Sequence, residues 1–394
     1  MIKGSVQKPK ITIICARDYK DRNKGDIVVA HSFALALSEF SDLSIICLSK
    51  CEKKDYINVN KEKIRIYKIR RPQLFEIIVA VMKNVFTSAP LQYALFSNVR
   101  VRKMVIKRLK ELRSDITISL TSRAWAMHLG KVGKYNYLHL IDVLSKNFDS
   151  MANNQKRIIC KLFYKIEARR LRKDEGIIDI NATGVWQVAA RDNEGYNPQR
   201  IIIPIVYNLS ENSLHREEIH SKEIVFLGTL SYWPNVEAVH WFVDNVFPIV
   251  KKSLPNAIFK VAGKGKIKLD SRIYSVPRVN IVGAVIDTIE YLSQAAVIVV
   301  PVRKGTGMQN KILEASWLGK EIVCTKFAAE PFNETCKEGL RITDDAKQFA
   351  REVIESVQKP RSKKVMKAWA RSLQQSYSVE SLRNNLYEIL CIEK

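Results

Sequence analysis

Continuous apolar runs, rich in β-branched residues, alternate with helix-type patterns along almost the whole chain. Runs of this kind are typical of parallel strands that are buried on both faces of a sheet. They cover residues 11–16, 43–49, 64–69, 116–120, 137–141, 177–180, 200–204, 224–228, 258–263, 279–283, 297–301 and 321–325. So many strands separated by helices predict an α/β chain with two doubly wound Rossmann-like domains.

Local signals place several of the helices. We expect Asp26 and Asn235 to cap helices over 27–40 and 236–248. Asp287 with Glu290 forms a capping-box pattern. A short helix from Gln309 to Leu318 is expected to end before Gly319, the residue type preferred just after a helix C-terminus. Beyond about residue 343 the pattern is helical, with Asp344-Asp345 at a helix start and Ser378 as the cap of a last helix.

A polar stretch over 210–223 interrupts the alternation and indicates a domain boundary. The predicted division is an N-terminal Rossmann-like domain over 1–208, a C-terminal Rossmann-like domain over 209–372, and a final helix over 373–394 that packs back on the N-terminal domain.

Charge narrows the range of partners. The chain has 65 Lys and Arg against 40 Asp and Glu, a net charge of +25. This excess favours nucleic acid, an anionic membrane surface or phosphorylated small molecules, although a Lys-rich composition without such a partner is also compatible with it. Two basic amphipathic stretches, 99–113 and 156–173, are either membrane-surface helices or ordinary surface helices with a buried apolar stripe.

The terminus and the cysteines indicate a cytoplasmic protein, soluble or peripheral on the inner membrane face. The N-terminal MIKGSVQKPK lacks the apolar core of a signal peptide. Seven cysteines occur without a CxxC pair, as expected in a reducing compartment without a zinc site. No DxD motif lies in a suitable loop and no His/Cys cluster has ligand spacing, so we expect neither a metal nor another cofactor.

The strongest chemical signal lies in residues 297–325. An apolar strand ends at Pro301, a loop with Gly305 and Gly307 follows, and a helix begins near Gln309. Glycines allow the backbone to approach an anion closely, and a helix N-terminus favours negative charge. Further polar groups in this stretch are Thr306, Gln309, Lys311 and Glu314. The pattern favours phosphate at the helix start and a ribose at Glu314, while a Gly-x-Gly before an ordinary helix remains an alternative.

The same segment, GMQNKILEASWLGKEIVCT, resembles the donor-site signature of family 4 retaining glycosyltransferases, whose fold is GT-B. Residues 226–248, 259–265 and 279–307 resemble the rest of that family's C-terminal domain in the expected order. Residues 24–49 resemble its N-terminal loop and helix, and HLIDVLS at 139–145 resembles a subgroup found in polysaccharide gene clusters. The resemblance implies two domains facing across a cleft and an enzyme that transfers a sugar from a nucleoside-diphosphate sugar to a glycan or lipid-linked acceptor.

The resemblance also implies roles for individual residues. Glu314 matches the glutamate that holds the donor ribose, and Val285 falls where the backbone contacts the base. The remaining donor-site positions face the diphosphate or lie beneath it: Gly25, Gly228, Thr229, Arg303, Gly307, Met308, Gln309 and Lys311. Several positions depart from the family pattern. Thr306 stands where a Glu is common, and Thr229 and the SYWPN loop stand where an Arg and a Lys are common. Pro204-Ile205-Val206 replaces the usual Pro-Asn-Gly stretch.

Catalytic residues are harder to assign, since the family has no clear protein nucleophile. The position of a common family His corresponds to Asp142, a carboxylate that either orients or deprotonates an acceptor hydroxyl or simply caps a turn. His128 is an alternative polar group.

Three rival interpretations remain. A sugar-nucleotide epimerase shares the fold and donor site, and a catalytically inactive GT-B scaffold would explain the departures at Thr229 and Thr306. A nucleic-acid-binding protein would explain the charge, but the basic residues are spread out and no nucleic-acid-binding motif occurs.

Overall fold

The structure, a computed structural model, describes residues 8–21, 25–155, 157–197, 199–207, 222–265 and 269–391. The chain divides into two compact units. The N-terminal unit comprises Met1–Val206 with Val379–Lys394, and the C-terminal unit comprises Tyr207–Ser378. Most of the polar stretch expected at the boundary, residues 208–221, lies outside the described residues.

The N-terminal unit contains an eight-stranded sheet of order β3-β4-β2-β1-β5-β6-β7-β8. Its strands are β1 Lys10–Cys15, β2 Asp42–Ser49, β3 Lys53–Val59, β4 Glu62–Arg70, β5 Ile116–Leu120, β6 Tyr135–Leu140, β7 Gly184–Gln187 and β8 Ile201–Ile202. Its helices are α1 Gly25–Leu37, α2 Leu74–Thr87, α3 Val99–Leu112, α4 Ser122–Trp125, α5 Leu144–Asn153, α6 Ile158–Asn181 and, from the chain end, α16 Val379–Cys391. The strands pair in parallel except β3, which is antiparallel to β4. α16 packs against α1.

The C-terminal unit contains a six-stranded parallel sheet of order β11-β10-β9-β12-β13-β14. Its strands are β9 Glu223–Leu227, β10 Ile258–Ala262, β11 Val279–Gly283, β12 Val297–Val300, β13 Glu321–Cys324 and β14 Arg341–Ile342. Its helices are α7 Trp233–Trp241, α8 Phe247–Ser253, α9 Ser271–Tyr274, α10 Thr288–Ser293, α11 Asn310–Trp317, α12 Lys326–Ala329, α13 Glu334–Glu338, α14 Ala346–Gln358 and α15 Lys363–Tyr377. The predicted α/β class with two parallel Rossmann-like sheets is confirmed.

Three local predictions are wrong. Residues 177–180 are the end of α6 rather than a strand, because the apolar residues there continue a helical stripe in which Ile178 is buried and Ile180 is exposed. Asp26 and Asn235 lie inside the first turns of α1 and α7, so neither is the residue before its helix. The caps at Asp287 and Asp345 are confirmed, since their side chains accept hydrogen bonds from the first turns of α10 and α14.

The basic helix α3 has its apolar stripe in the core. Val101, Val105 and Leu109 pack with Ile46 and Leu48 of β2. Lys103, Lys107 and Lys110 are exposed, whereas Arg102 donates to the Ala126 carbonyl, so the stretch has the ordinary arrangement of a surface helix. Among the described residues, no helix is both long enough and apolar enough to cross a bilayer.

The loops after β9 and β10 approach each other at backbone distance. A Cβ on Gly263 would lie 1.7 Å from the carbonyl oxygen of Gly228. Here glycine is needed for close approach, because no side-chain movement relieves an overlap with backbone. Gly228 N–H also donates to the Ala262 carbonyl at 2.9 Å, so the two loops are held together.

We expect Gly263→Ala to lower the free energy of unfolding by about 1–3 kcal/mol, because the two loops must separate. Urea unfolding would measure the loss. Gly176→Ala is the control: nothing lies within 4 Å of its added Cβ on α6. That substitution should raise stability by about 0.5–1 kcal/mol, because alanine loses less backbone entropy in a helix. Equal stability of Gly263→Ala and wild type would contradict the packing.

Candidate functional site

The loop between β12 and α11 forms the centre of a polar site in the C-terminal unit. Gly305 and Gly307 have φ angles of +131° and +71°, which side-chain-bearing residues rarely adopt. Gln309 precedes α11, and Gly319 follows it with φ +60°, so the predicted strand-loop-helix is confirmed as a local structure. Within the loop, Thr306, Met308 and Gln309 are buried.

Lys311 is a buried amine held by neutral oxygens. Its Nζ lies 3.1 Å from Asn235 Oδ1 and 3.3 Å from Gln309 Oε1, and 4.7 Å from the centre of the Phe226 ring. Burial lowers the pKa of Lys311 to about 7, with Glu314 opposing the change. An incoming anion would favour the charged amine, so this lysine is suited to respond to phosphate.

Glu314 is a buried carboxylate that is half satisfied. Its Oε1 accepts a hydrogen bond from the hydroxyl of Tyr207, whereas its Oε2 is shielded from solvent and has no hydrogen-bond partner among the described residues. Burial raises the pKa of Glu314, while Tyr207 and Lys311 lower it. Since buried polar atoms are nearly always paired, an unpaired carboxylate oxygen is suited to a hydroxyl-bearing ligand.

Asn235 joins the two loops of the site. It accepts from Lys311 and donates through Nδ2 to the Thr229 carbonyl at 3.1 Å. Its side chain also lies against Gly228, where an added Cβ would come within 2.8 Å of the amide. The structure therefore brings Gly228 and Thr229 together with Lys311, as the sequence predicted from separate segments.

Two predicted donor-site residues lie further out. Arg303 is exposed, with its guanidinium 5.4 Å from the centre of the Trp241 ring. Val285 is half-buried in the loop after β11.

The C-terminal edge of the N-terminal sheet carries a second polar group. Asp142 follows β6 and is exposed, and Gly25 begins α1. Asp26 binds Arg17 at 2.6 Å. Burial and the nearby charge of Arg17 lower the pKa of Arg123, whereas Asp142 and Asp26 raise it. Arg17, Asp142 and Asp26 therefore all lie within electrostatic range of Arg123. Charged groups of both signs at the C-terminal ends of neighbouring strands can hold a polar substrate group.

His128 does not belong to this edge. It is completely buried, with Nε2 2.7 Å from Ser119 Oγ and Nδ1 accepting from the Gly130 N–H at 3.1 Å. Burial lowers its pKa to about 3. With both ring nitrogens engaged inside the N-terminal unit, it is a structural histidine rather than a group that meets an acceptor.

Sequence reasoning missed Tyr207 and Arg123 and gave Asn235 only a capping role. Tyr207 is 107 positions from Glu314, and no local pattern links them. Arg123 follows β5, and its position at a strand end was the available signal.

Comparison with known proteins agrees with this architecture. Residues 221–359 match the family model described as glycosyl transferases group 1. A Klebsiella pneumoniae protein described as an uncharacterized 44.6 kDa protein in the cps region is 22% identical over 222 residues. That match covers 52% of this chain and 55% of the relative, so it spans about half the length of each.

Solved structures extend the likeness to the whole chain. Sucrose-phosphate synthase from Thermosynechococcus elongatus superposes with a TM-score of 0.66 at 15% identity, covering 98% of this chain and 100% of that one. Anabaena HepE in complex with UDP and glucose gives 0.63 at 12% identity, covering 97% and 99%. Residues 221–359 thus match a glycosyl transferases group 1 domain, and the chain as a whole has the GT-B fold of these solved structures.

Proposed function

We propose that the chain transfers a sugar, with retention of anomeric configuration as in family 4, from a nucleoside-diphosphate sugar to a glycan or lipid-linked acceptor in surface polysaccharide synthesis. The observation that carries the proposal is the buried, unpaired Oε2 of Glu314 beside the buried amine of Lys311. A ribose supplies the missing hydroxyl donors, and a diphosphate supplies the anion.

The remaining donor contacts follow the same chemistry. In the proposal, the backbone of Gly307, Met308 and Gln309 faces the diphosphate, with Thr306 and Arg303 as additional donors. Gly228 and Thr229 lie beneath the phosphates, and Val285 contacts the base. Stabilising the leaving diphosphate is the main catalytic contribution, and this chemistry requires no metal or other cofactor.

The N-terminal unit is proposed to bind the acceptor. Asp142 orients or deprotonates the acceptor hydroxyl, and Gly25 at the start of α1 is kept as a candidate donor-binding residue. The lysine and arginine side chains of residues 99–113 and 156–173 face an anionic membrane on its cytoplasmic side. Nucleic acid is not a partner in this proposal.

Two comparisons support these finer points. Anabaena HepE is described in complex with UDP and glucose, and an E. coli trehalose-6-phosphate structure is described as bound with UDP-2-fluoro glucose, so UDP is the first diphosphate to test. The relative from the cps region supports a role in polysaccharide synthesis.

The first experiment is thermal-shift binding against UDP, GDP, ADP and CMP. A ligand at 100 times its dissociation constant stabilises the folded state by about 2.7 kcal/mol. One diphosphate is expected to raise the melting temperature by several degrees, and the matching sugar donor then gives an NMR-detectable product that keeps the anomeric configuration. Diphosphate binding without sugar transfer would favour the inactive scaffold. Release of an epimerised donor would favour the epimerase, and the absence of diphosphate binding would indicate a different ligand class.

The state of Lys311 predicts how diphosphate affinity depends on pH. Its pKa is about 7 in the free protein, and a bound diphosphate raises it, so binding above pH 7 takes up a proton. Affinity should therefore fall by up to about tenfold per pH unit between pH 7 and 9. Calorimetry in two buffers of different ionisation enthalpy would report the proton uptake.

Lys311→Met is the control, with weaker binding that does not vary between pH 7 and 9. Unfolding of the protein at high pH does not account for the expected loss of diphosphate affinity between pH 7 and 9. The unfolded chain holds this proton up to its ordinary pKa of 10.5, so Lys311 makes the free protein more stable as pH rises from 7. A pH-independent wild-type affinity would contradict the assignment.

A further inference from the structure

Helix α2 displays apolar side chains to solvent along its whole length. None of its 14 residues, all of them described, is buried. Phe86 is 85% exposed, Phe75 76% and Leu74 75%. A helix of a soluble protein normally buries such side chains against the core, so α2 is an unpartnered apolar element.

The first half of α6 continues this exposed surface. Ile158 and Ile159 are 82% and 85% exposed, and Leu162, Phe163 and Ile166 are also exposed. The spacing of these five residues places them on one side of the helix. From Glu167 onward α6 buries Ala168 and Leu171, so the exposure is confined to the N-terminal half.

Polar contacts hold the two elements together. The guanidinium of Arg170 donates to the carbonyls of Asn84, Val85 and Ala89 at 3.0–3.2 Å, at the C-terminal end of α2. The buried carboxylate of Glu167 accepts from the N–H groups of Leu91 and Gln92. These contacts place the C-terminal end of α2 beside α6, and the exposed apolar side chains of α2 and of Ile158–Ile166 are here together named the α2–α6 surface.

Positive charge predominates around this surface, and the one acid of α2, Glu76, is ion-paired with Arg100. From Ile77 to Lys110 the sequence has seven Lys and Arg and no Asp or Glu. From Arg157 to Lys173 it has another seven Lys and Arg, and its single acid, Glu167, is buried and bonded. A partner must therefore offer an apolar phase together with negative charge, and an anionic bilayer offers both.

We propose that the α2–α6 surface inserts into the headgroup region of an anionic lipid bilayer, with the surrounding Lys and Arg on lipid phosphates. The inserting element is thus α2 with the first half of α6, while α3 contributes cations alone because its apolar stripe is in the core. The proposal is independent of sugar transfer, since it needs neither donor nor acceptor.

Vesicle flotation of the full-length protein tests this proposal. We expect at least about tenfold stronger partitioning to phosphatidylcholine vesicles with about a third phosphatidylglycerol than to phosphatidylcholine alone. The Phe75→Ser/Phe86→Ser variant should lose at least about tenfold of this binding, and Ile159→Ser/Leu162→Ser should do the same. Both variants should keep the wild-type melting temperature, because the replaced side chains are exposed.

Val365→Ser is the matched control, because Val365 is 55% exposed on α15 of the other unit. It should bind vesicles as the wild type does. Wild-type binding by both serine variants would overturn the proposal and leave attraction by charge alone. Failure of the wild-type protein to bind anionic vesicles would also overturn it. The same holds if the lipid-free protein is a dimer that Phe75→Ser/Phe86→Ser dissociates, because a second copy would then cover the surface.

Discussion

Glu314→Gln is expected to weaken nucleoside-diphosphate binding by at least about 100-fold, a loss of roughly 2.7 kcal/mol. The side chain keeps its shape, and its remaining carbonyl oxygen still accepts from Tyr207. At the unpaired Oε2 position, however, an NH₂ group replaces an acceptor, so it cannot receive a ribose hydroxyl. Hydrogen bonds to a charged group are worth about 1.5–3 kcal/mol each, and a ribose offers two hydroxyls.

Calorimetric titration of wild type and variant with the diphosphate identified by thermal shift measures this loss. Glu338→Gln, an exposed glutamate on α13 of the same unit, should bind as the wild type does. Sugar transfer should fall in parallel with binding. If Glu314→Gln binds diphosphate normally, the carboxylate does not hold the donor, and the unpaired oxygen needs another explanation.

Glu321→Ala is expected to lower the free energy of unfolding by about 3–5 kcal/mol, the usual cost of removing one partner from a buried ion pair. Glu321 is 4% exposed at the start of β13. Its carboxylate accepts from Arg361 N at 2.8 Å, from the Arg361 guanidinium at 3.0 and 2.9 Å, and from Arg341 Nε at 3.1 Å. The substitution removes this acceptor from both arginines, although Arg341 keeps its ion pair with Glu352 and Arg361 keeps the Gly339 carbonyl.

Urea unfolding measures the effect, with Glu334→Ala as the control. Glu334 pairs with Lys337 but is 86% exposed, so its loss should leave the free energy of unfolding unchanged. The arginines hold the pKa of Glu321 below its ordinary value of 4.5, although burial opposes them. Its contribution is therefore complete above pH 4.5 and is lost as pH falls through the lowered pKa. An acid-unfolding curve that is unchanged in Glu321→Ala would contradict this role.

The membrane and donor experiments are separable by unit. The serine substitutions on α2 and α6 lie in the N-terminal unit, whereas Glu314, Lys311 and Glu321 lie in the C-terminal unit. We expect Phe75→Ser/Phe86→Ser to bind diphosphate normally and Glu314→Gln to bind vesicles normally. Loss of both activities in either variant would indicate misfolding instead of a local effect.

The sequence alone predicted most of the strands, the loop and helix at 301–317 and the placement of Lys311 and Glu314 on one helix, but it missed β3, β7 and β14. These features depend on neighbouring residues: continuous apolar runs, glycines at turns and the spacing of helical side chains. It also indicated two Rossmann-like sheets, because strand and helix alternate throughout. The error at 177–180 has the same origin, since a short apolar run fits a strand and a helix equally well.

Which polar groups are hydrogen-bonded and which apolar groups are covered depends on the tertiary structure. Tyr207 meets Glu314 across 107 positions, and Asn235 meets Lys311 across 76. His128 is buried with both nitrogens bonded, while α2, as apolar as many buried helices, is exposed. Burial and pairing depend on what the rest of the chain places beside a residue, and the local sequence does not contain that information.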